Sequence, residues 1–162
     1  MKENQNKIWQ SEVDKFLMLA DKNNVRMIMV GGGAVNFHGY QRHSADVDFW
    51  LDTHEDNLKK LLTVFNEMDY EISDFPTEVK EQKQNVSIKF SPADLNVELI
   101  TKFDVNKPFD EAFENSEIVF INNQKIWKYH VLSLDDLVTS KVKAGRNKDL
   151  LDILELKKMN ED

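Results

Sequence analysis

The sequence predicts one α/β or α+β domain with a mixed β-sheet flanked by helices and with further helices at the C-terminal end. Helical and strand patterns alternate along the first 70 residues, strand patterns dominate the middle, and helical patterns return after residue 133. The chain has 162 residues, of which 41% are apolar, and this suits a single packed core. We therefore predict one domain over residues 1–162, with a C-terminal helical part at about 133–160.

The first half of the chain combines three apolar patterns with one cluster of glycines. Apolar residues at helical spacing predict helices, and short apolar or alternating runs predict strands. Gly39 is a suitable residue to close a short helix. Thr53 and Asp56 have the spacing of a capping box, so they predict the start of a helix that runs to Met68. The other predicted elements are a helix over 8–21, a strand over 26–30, a glycine turn at 31–33, a short helix over 34–38 and a strand over 45–51.

The second half of the chain reads as paired strands followed by two helices. The predicted strands cover 86–90, 95–100, 118–121 and 125–129. Asn122 and Asn123 predict the turn between the last two strands. Ser133 caps the next helix, and Gly145 separates it from a final helix over about 147–159.

Composition limits the cellular setting and the partners. The chain carries a net charge of −8, which disfavours binding to extended nucleic acid. It has no cysteine, so a metal would need oxygen or imidazole ligands. No apolar run approaches 18 residues and the first ten residues are polar, so we expect a cytoplasmic protein that does not enter membranes.

Asp46 and Asp48 are the first candidates for chemistry. Two positions apart on a strand, their side chains share a face, about 7 Å apart at the backbone. Two neighbouring carboxylates repel each other unless a cation lies between them, and Mg²⁺ prefers such oxygen ligands together with phosphate and water. The alternative interpretation is a solvated strand face.

Gly31, Gly32 and Gly33 follow a predicted strand and precede a predicted helix. Backbone N–H groups at such a turn can hold phosphate. The segment matches neither a dinucleotide-binding fingerprint nor a P-loop, because Asn36 stands at the third glycine position and no Gly-Lys-Ser/Thr follows. An ordinary tight turn is the alternative.

Glu98 is the candidate for a third carboxylate. It lies on the polar side of the 95–100 strand and would join Asp46 and Asp48 if that strand pairs with theirs. It could then bind metal or accept the proton of an attacking hydroxyl. Asp94 is a competing choice, but we assign it to the preceding turn.

Several basic residues are further candidates. Arg42 could pair with the acids or with phosphate. For His38 and His43 we favour structural roles over proton transfer or metal binding. Lys141, Lys143, Arg146 and Lys148 form the densest basic run, which is either a solvated helix face or a phosphate contact.

The segment from Val30 to Asp52 resembles the signature of the nucleotidyltransferase (DNA polymerase β-like) superfamily. A strand leads into Gly32-Gly33, and twelve residues separate these from Asp46-x-Asp48. The wider string adds His38-Gly39, Arg42 and Ser44, and near the C-terminus Lys141, Ala144-Gly145-Arg146 and Lys148-Asp149 through Asp152. This string resembles small bacterial nucleotidyltransferase-fold proteins related to abortive-infection toxins.

The resemblance implies a nucleotidyltransferase fold and a reaction. A nucleoside monophosphate would move from a metal-bound nucleoside triphosphate to a hydroxyl on a small molecule, a protein or an RNA end, with Mg²⁺ or Mn²⁺ as cofactor. Asp46, Asp48 and Glu98 would be the catalytic and metal-binding residues. Nucleotide-binding candidates are Gly31, Gly32, Gly33, Arg42, Ser44, Lys141, Arg146 and Lys148.

Two departures from the superfamily pattern leave other functions open. The glycine turn lacks the serine of many active members, and Glu98 stands where aspartate is more usual. A nucleotide-binding or regulatory module without turnover is therefore the main alternative, including a toxin–antitoxin component held by an inhibitory protein partner. A metal-dependent phosphohydrolase is a third possibility.

Overall fold

The computed structural model describes residues 2–41, 46–90, 96–123 and 125–161. Over these ranges the chain forms seven helices and six strands. They are α1 (Lys2–Lys22), β1 (Met27–Val30), α2 (Gly31–Phe37), β2 (Asp46–Leu51), α3 (Glu55–Glu67), α4 (Thr77–Lys80), β3 (Val86–Ile88), β4 (Asn96–Ile100), α5 (Phe109–Glu114), β5 (Glu117–Asn123), β6 (Lys125–Val131), α6 (Leu134–Ala144) and α7 (Asn147–Met159). The predicted α+β class with C-terminal helices is confirmed.

The six strands form one mixed sheet in the order β3-β4-β2-β1-β6-β5. β2 lies at its centre, parallel to β4 and antiparallel to β1. β1 in turn runs parallel to β6. The hairpin partners β3/β4 and β5/β6 are antiparallel. The prediction of a mixed sheet is therefore confirmed.

Both faces of the central strand are covered. Val47, Phe49 and Leu51 are buried, as their alternation predicts. Trp50 lies on the same side as Asp46 and Asp48 by alternation, yet it is also buried, with its ring 5.4 Å from Phe103 and 5.1 Å from Phe109 between centroids. The acidic side of β2 therefore changes from exposed at its start to buried at its end.

The three glycines belong to a helix and not to a separate turn. α2 begins at Gly31, directly after β1, with a left-handed φ of +60° at that residue. Gly39 follows the end of α2 and also has a positive φ, as its predicted role requires.

The predicted capping box at Thr53 is wrong. α3 begins at Glu55, its N-cap residue is His54, and no side chain caps it. The Thr53 hydroxyl instead accepts a hydrogen bond from Gln82. The buried Asn57 side chain fixes the start of α3, because it bonds the backbone of both Arg26 and Asp52.

The later elements agree with prediction except in detail. Asn122 and Asn123 pair with Ile126 and Lys125 within the β5/β6 ladder, so their assignment to the turn is wrong. Ser133 accepts a hydrogen bond from the Asp136 backbone and caps α6 as predicted. Helices α4 and α5 are additional, and the proposed turn with Asp94 lies outside the described residues.

No described helix has the length and apolar character needed to cross a membrane.

Candidate active site

The carboxylates predicted to act together lie on two paired strands. In the β2/β4 register Asp48 is opposite Glu98, and Asp46 is opposite Asn96. Adjacent strands lie about 4.8 Å apart, so side chains at matched positions are direct neighbours. The strand pairing on which the assignment of Glu98 depends is therefore present.

Asp48 is the half-buried member of this group. Burial raises the pKa of its carboxyl group, and the negative charges of Asp46 and Glu98 raise it further. The positive charges of Lys141 and Lys148 act in the opposite direction. Asp48 therefore lies where negative charge accumulates, and a bound cation would relieve that repulsion.

Gly31 brings the backbone directly against Asp48. A Cβ atom at Gly31 would lie 2.6 Å from Asp48 Oδ2, closer than real contacts allow. The other two glycines differ, since Gly33 packs against the Met29 side chain and Gly32 is buried in α2. Among the three, Gly31 is the one whose lack of a side chain makes room for the Asp48 carboxylate.

Ser87 is a site residue that sequence reasoning missed. It lies opposite Glu98 in the β3/β4 pair and donates its hydroxyl hydrogen bond to Glu98 Oε2 at 2.5 Å. The alternation of the predicted 86–90 strand contained a signal for it, but only the register identifies its partner. Within the described ranges, no group of three or more His, Asp or Glu side chains is arranged so that it could hold a metal ion.

The residues of the predicted basic run differ in burial and in their partners. Lys141 is buried, and its Nζ lies 3.3 Å from Asp149 Oδ1 and 3.1 Å from Asp152 Oδ2. Arg146 bonds Asp149 through Nε and Nη2 and so fixes the start of α7. Burial works to raise the pKa of Asp149, but the Arg146 hydrogen bond and the Lys141 charge outweigh it and lower that pKa. Lys148, by contrast, is exposed.

Of the remaining candidate residues, the structure describes only His38. His38 Nε2 is 2.7 Å from the Leu132 carbonyl oxygen, which confirms a structural role. Arg42, His43 and Ser44 lie outside the described residues.

A mixed sheet with acidic side chains on two of its paired strands, beside a helix that begins with glycines, is the arrangement expected of a nucleotidyltransferase-like protein. Residues 10–161 match the family described as nucleotidyltransferases of unknown function (DUF6036), and the chain belongs to this family. No curated protein matches the chain. The finer likeness to the DNA polymerase β-like superfamily stays a prediction.

Proposed function

We propose that this protein is a metal-dependent nucleotidyltransferase that moves a nucleoside monophosphate from a nucleoside triphosphate to an acceptor hydroxyl. The observation that carries the proposal is the pairing of Asp48 with Glu98 across β2 and β4, with Gly31 against the Asp48 carboxylate. Family membership supports the same class of reaction.

The residues present fit Mg²⁺ or Mn²⁺. Asp46 and Asp48 would hold the ion, because burial and then the negative charges of Asp46 and Glu98 raise the pKa of Asp48, and a bound cation would favour its ionised form. Mg²⁺ commonly takes one or two carboxylates and completes its shell with substrate phosphate and water, so a full protein cage is not required. Glycine at position 31 lets the backbone at the start of α2 lie directly against the Asp48 carboxylate, and this would bring backbone and carboxylate together at one phosphate-binding position.

The proposed reaction is an in-line displacement at phosphorus. The acceptor hydroxyl oxygen bonds to the α-phosphorus as the bond to the bridging oxygen breaks, and pyrophosphate leaves with that electron pair. Glu98 accepts the hydroxyl proton. When bound, the metal supplies positive charge that stabilises the developing charge on the phosphate oxygens. The charges of Lys141 and Lys148 act on Asp48, so both residues would add positive potential where the triphosphate binds.

A transfer assay with matched charge controls tests the proposal. The protein is incubated with each labelled nucleoside triphosphate, Mg²⁺ and a cell extract. The variant Asp46→Asn plus Asp48→Asn should lose label transfer and pyrophosphate release by a factor of a hundred or more, on the order of the loss of a principal transition-state contact. Asp56→Asn plus Asp69→Asn removes two exposed carboxylates elsewhere and should retain both. Equal transfer by all three proteins would exclude these aspartates as the reactive centre.

A nucleotide-binding module without turnover is the second candidate. It is favoured by the two buried acids that already engage Lys141, one of the predicted nucleotide-binding residues. Calorimetry with ATP, GTP, CTP and UTP distinguishes the two candidates. Metal-dependent binding that is lost in the Asp46/Asp48 variant, without pyrophosphate release by the native chain, would support the module.

A further inference from the structure

Helix α7 is apolar on two opposite sides. One side is buried and carries Ile153 and Leu156 together with Asp149 and Asp152. The other side exposes Leu150, Leu151 and Leu154, each by half or more of its surface. A surface helix normally presents polar and charged residues on the side away from the core. The exposed leucines therefore indicate a contact beyond the single chain.

Exposed apolar side chains are concentrated on the two C-terminal helices. Ten large apolar side chains are exposed in the described part of the chain, and half of them lie on α6 or α7. Besides the three leucines these are Val142 on α6 and Met159 at the end of α7. α7 has 13 residues and is therefore about 20 Å long, which is enough for a helix-to-helix contact of two to three turns on each side.

The spacing of the stripe matches one side of a two-helix coiled coil. Asn147, Leu151, Leu154 and Lys158 follow each other at intervals of four, three and four residues, which is the spacing of alternating d and a positions. Leu151 and Leu154 form the centre of this stripe, and the two polar residues form its ends. Leu150 flanks it on one side, while Lys148 and Glu155 flank it on the other.

The charges on the flank are complementary only between antiparallel copies. When two α7 helices cross antiparallel with Leu151 against Leu154 of the other copy, Lys148 of each lies near Glu155 of the other. The two-fold axis generates this ion pair twice. On the opposite flank Leu150 meets the other copy's Lys157, whose aliphatic stem can cover it. In a parallel arrangement the flanking positions on one side of each helix would instead meet those on the other side of its copy, which places Glu155 beside the apolar Leu150 and leaves Lys148 without an acidic partner on α7.

We propose that the exposed face of α7, formed by Leu150, Leu151 and Leu154, is a homodimer interface with a second copy of this chain in antiparallel orientation. The contact centres on four leucines, two from each copy, and is bordered by two Lys148–Glu155 pairs. An interface built on one short helix lies near the lower limit of specific interfaces, at roughly 1,000 Å². Dimerisation is therefore expected in the micromolar range and should depend on protein concentration.

Sedimentation velocity of the full chain tests whether the dimer forms and whether this face forms it. The native protein should shift from monomer towards dimer as its concentration rises from low to high micromolar. Leu154→Asp should stay monomeric throughout. The matched control is Ile126→Asp, which places the same charge at an equally apolar and even more exposed position on β6, and it should dimerise like the native chain. Circular dichroism verifies that both variants are folded. A native chain that remains monomeric at all concentrations overturns the proposal.

A charge exchange tests the orientation. Lys148→Glu alone and Glu155→Lys alone should each weaken the dimer several-fold, because each places like charges opposite one another. The double variant Lys148→Glu plus Glu155→Lys should regain most of the native affinity. Additive loss in the double variant would exclude the antiparallel pairing.

Cross-linking gives an independent measure of the same geometry. The chain has no cysteine, so a single introduced thiol can bond only to its copy. Leu151 lies next to the proposed two-fold axis, and Leu151→Cys should form an intermolecular disulfide under mild oxidation. Asn147→Cys should not, because antiparallel copies separate these positions by about eleven residues of helix rise, roughly 16 Å. Efficient cross-linking through Asn147→Cys would indicate a parallel contact and contradict the proposal.

Discussion

Gly31 shows how one missing side chain can shape the candidate site. Its φ of +60° favours glycine, and any Cβ there would collide with the Asp48 carboxylate. Any other residue at this position would therefore be destabilised twice, by the strained backbone angle and by the steric overlap with Asp48. Gly33 bears neither to the same degree, since the atom it would meet belongs to the flexible Met29 thioether.

Gly31→Ala should therefore destabilise the protein by about 1–3 kcal/mol, the range expected for a side-chain-bearing residue held at a strained backbone angle. It should also reduce nucleotide-dependent activity, because the added methyl group would push the Asp48 carboxylate away from its position in the proposed metal site. Urea unfolding and the pyrophosphate-release assay measure the two effects. Gly33→Ala is the comparison and should cost less than about 1 kcal/mol. Equal losses in the two variants would contradict the role assigned to the Gly31 contact.

Ser87 is expected to position Glu98. It lies exposed on β3, so its hydroxyl contributes little to packing, yet it donates to the carboxylate that faces Asp48. If nucleotidyl transfer is the function, Ser87→Ala should lower the rate of pyrophosphate release about tenfold, the effect of one hydrogen bond to a charged group. Unfolding free energy should change little. Ser87→Thr keeps the hydroxyl and should restore the rate, and an Ala variant as active as the native chain would exclude positioning by Ser87.

At the scale of elements, the structure shows which patterns could be read locally. Strand β2 and helices α6 and α7 were predicted from alternation, helical spacing and the Ser133 cap, all of which depend on neighbouring residues. Helices α4 and α5 were missed because four and six residues are too few to display an apolar period. A proline precedes each of them and was the available signal.

The candidate site, too, could be predicted only where neighbouring residues in the sequence determine it. Asp46 and Asp48 share a face because of their spacing, and this required no tertiary information. The Ser87–Glu98 hydrogen bond, by contrast, depends on strand register. The ion pairs of Lys141 with two aspartates depend on how α6 packs against α7. Thr53 was misread as a cap because the tertiary contact of Asn57 with Arg26 fixes the start of α3 instead.

The junction of α6 and α7 depends on the buried ion pairs of Lys141. Lys141→Met would leave Asp149 and Asp152 buried without their shared cation, and breaking such a cluster typically costs about 3–5 kcal/mol. Urea unfolding should show a loss of that size. Lys143→Met is the matched control, because its partner Asp104 is mostly exposed and the pair should contribute at most about 1 kcal/mol.

A loss at Lys141 no larger than at Lys143 would mean that the two aspartates find other partners. Replacing all three residues, with Lys141→Met, Asp149→Asn and Asp152→Asn together, should recover part of the stability because no buried charge remains unpaired.

At the scale of the whole molecule, the order of strands in the sheet could not be predicted from local sequence patterns. The order β3-β4-β2-β1-β6-β5 places β2 beside β4 and not beside β3, its nearest following strand in the chain. Such pairings depend on contacts between distant segments, which a pattern of neighbours does not encode. The docking of α1 on β6 is another contact of this kind, and it buries an acidic residue, Asp14.

Asp14 should make the stability of the whole fold depend on pH. Burial raises the pKa of its carboxyl group from 3.8 to about 6. Burial also raises the pKa of the nearby Tyr129 hydroxyl, and the charge of Asp14 raises it further. The folded state therefore holds the Asp14 proton more tightly than the unfolded state. This contribution favours folding most below about pH 4, declines between about pH 4 and 6, and is constant above that range. Ionisation of Asp14 then costs up to about 3 kcal/mol at pH 7.

Asp14→Asn removes the titrating group and keeps its size, so the variant should gain stability over the native chain as pH rises from 4 to 7. Urea unfolding across this range measures the gain, with Asp69→Asn as the control because that carboxylate is exposed. The control should keep the native slope of stability against pH between pH 4 and 7, whatever its constant difference from the native chain. A difference between Asp14→Asn and the native chain that stays constant from pH 4 to 7 would show that Asp14 titrates alike in the folded and unfolded states, and that burial between α1 and β6 does not perturb its pKa.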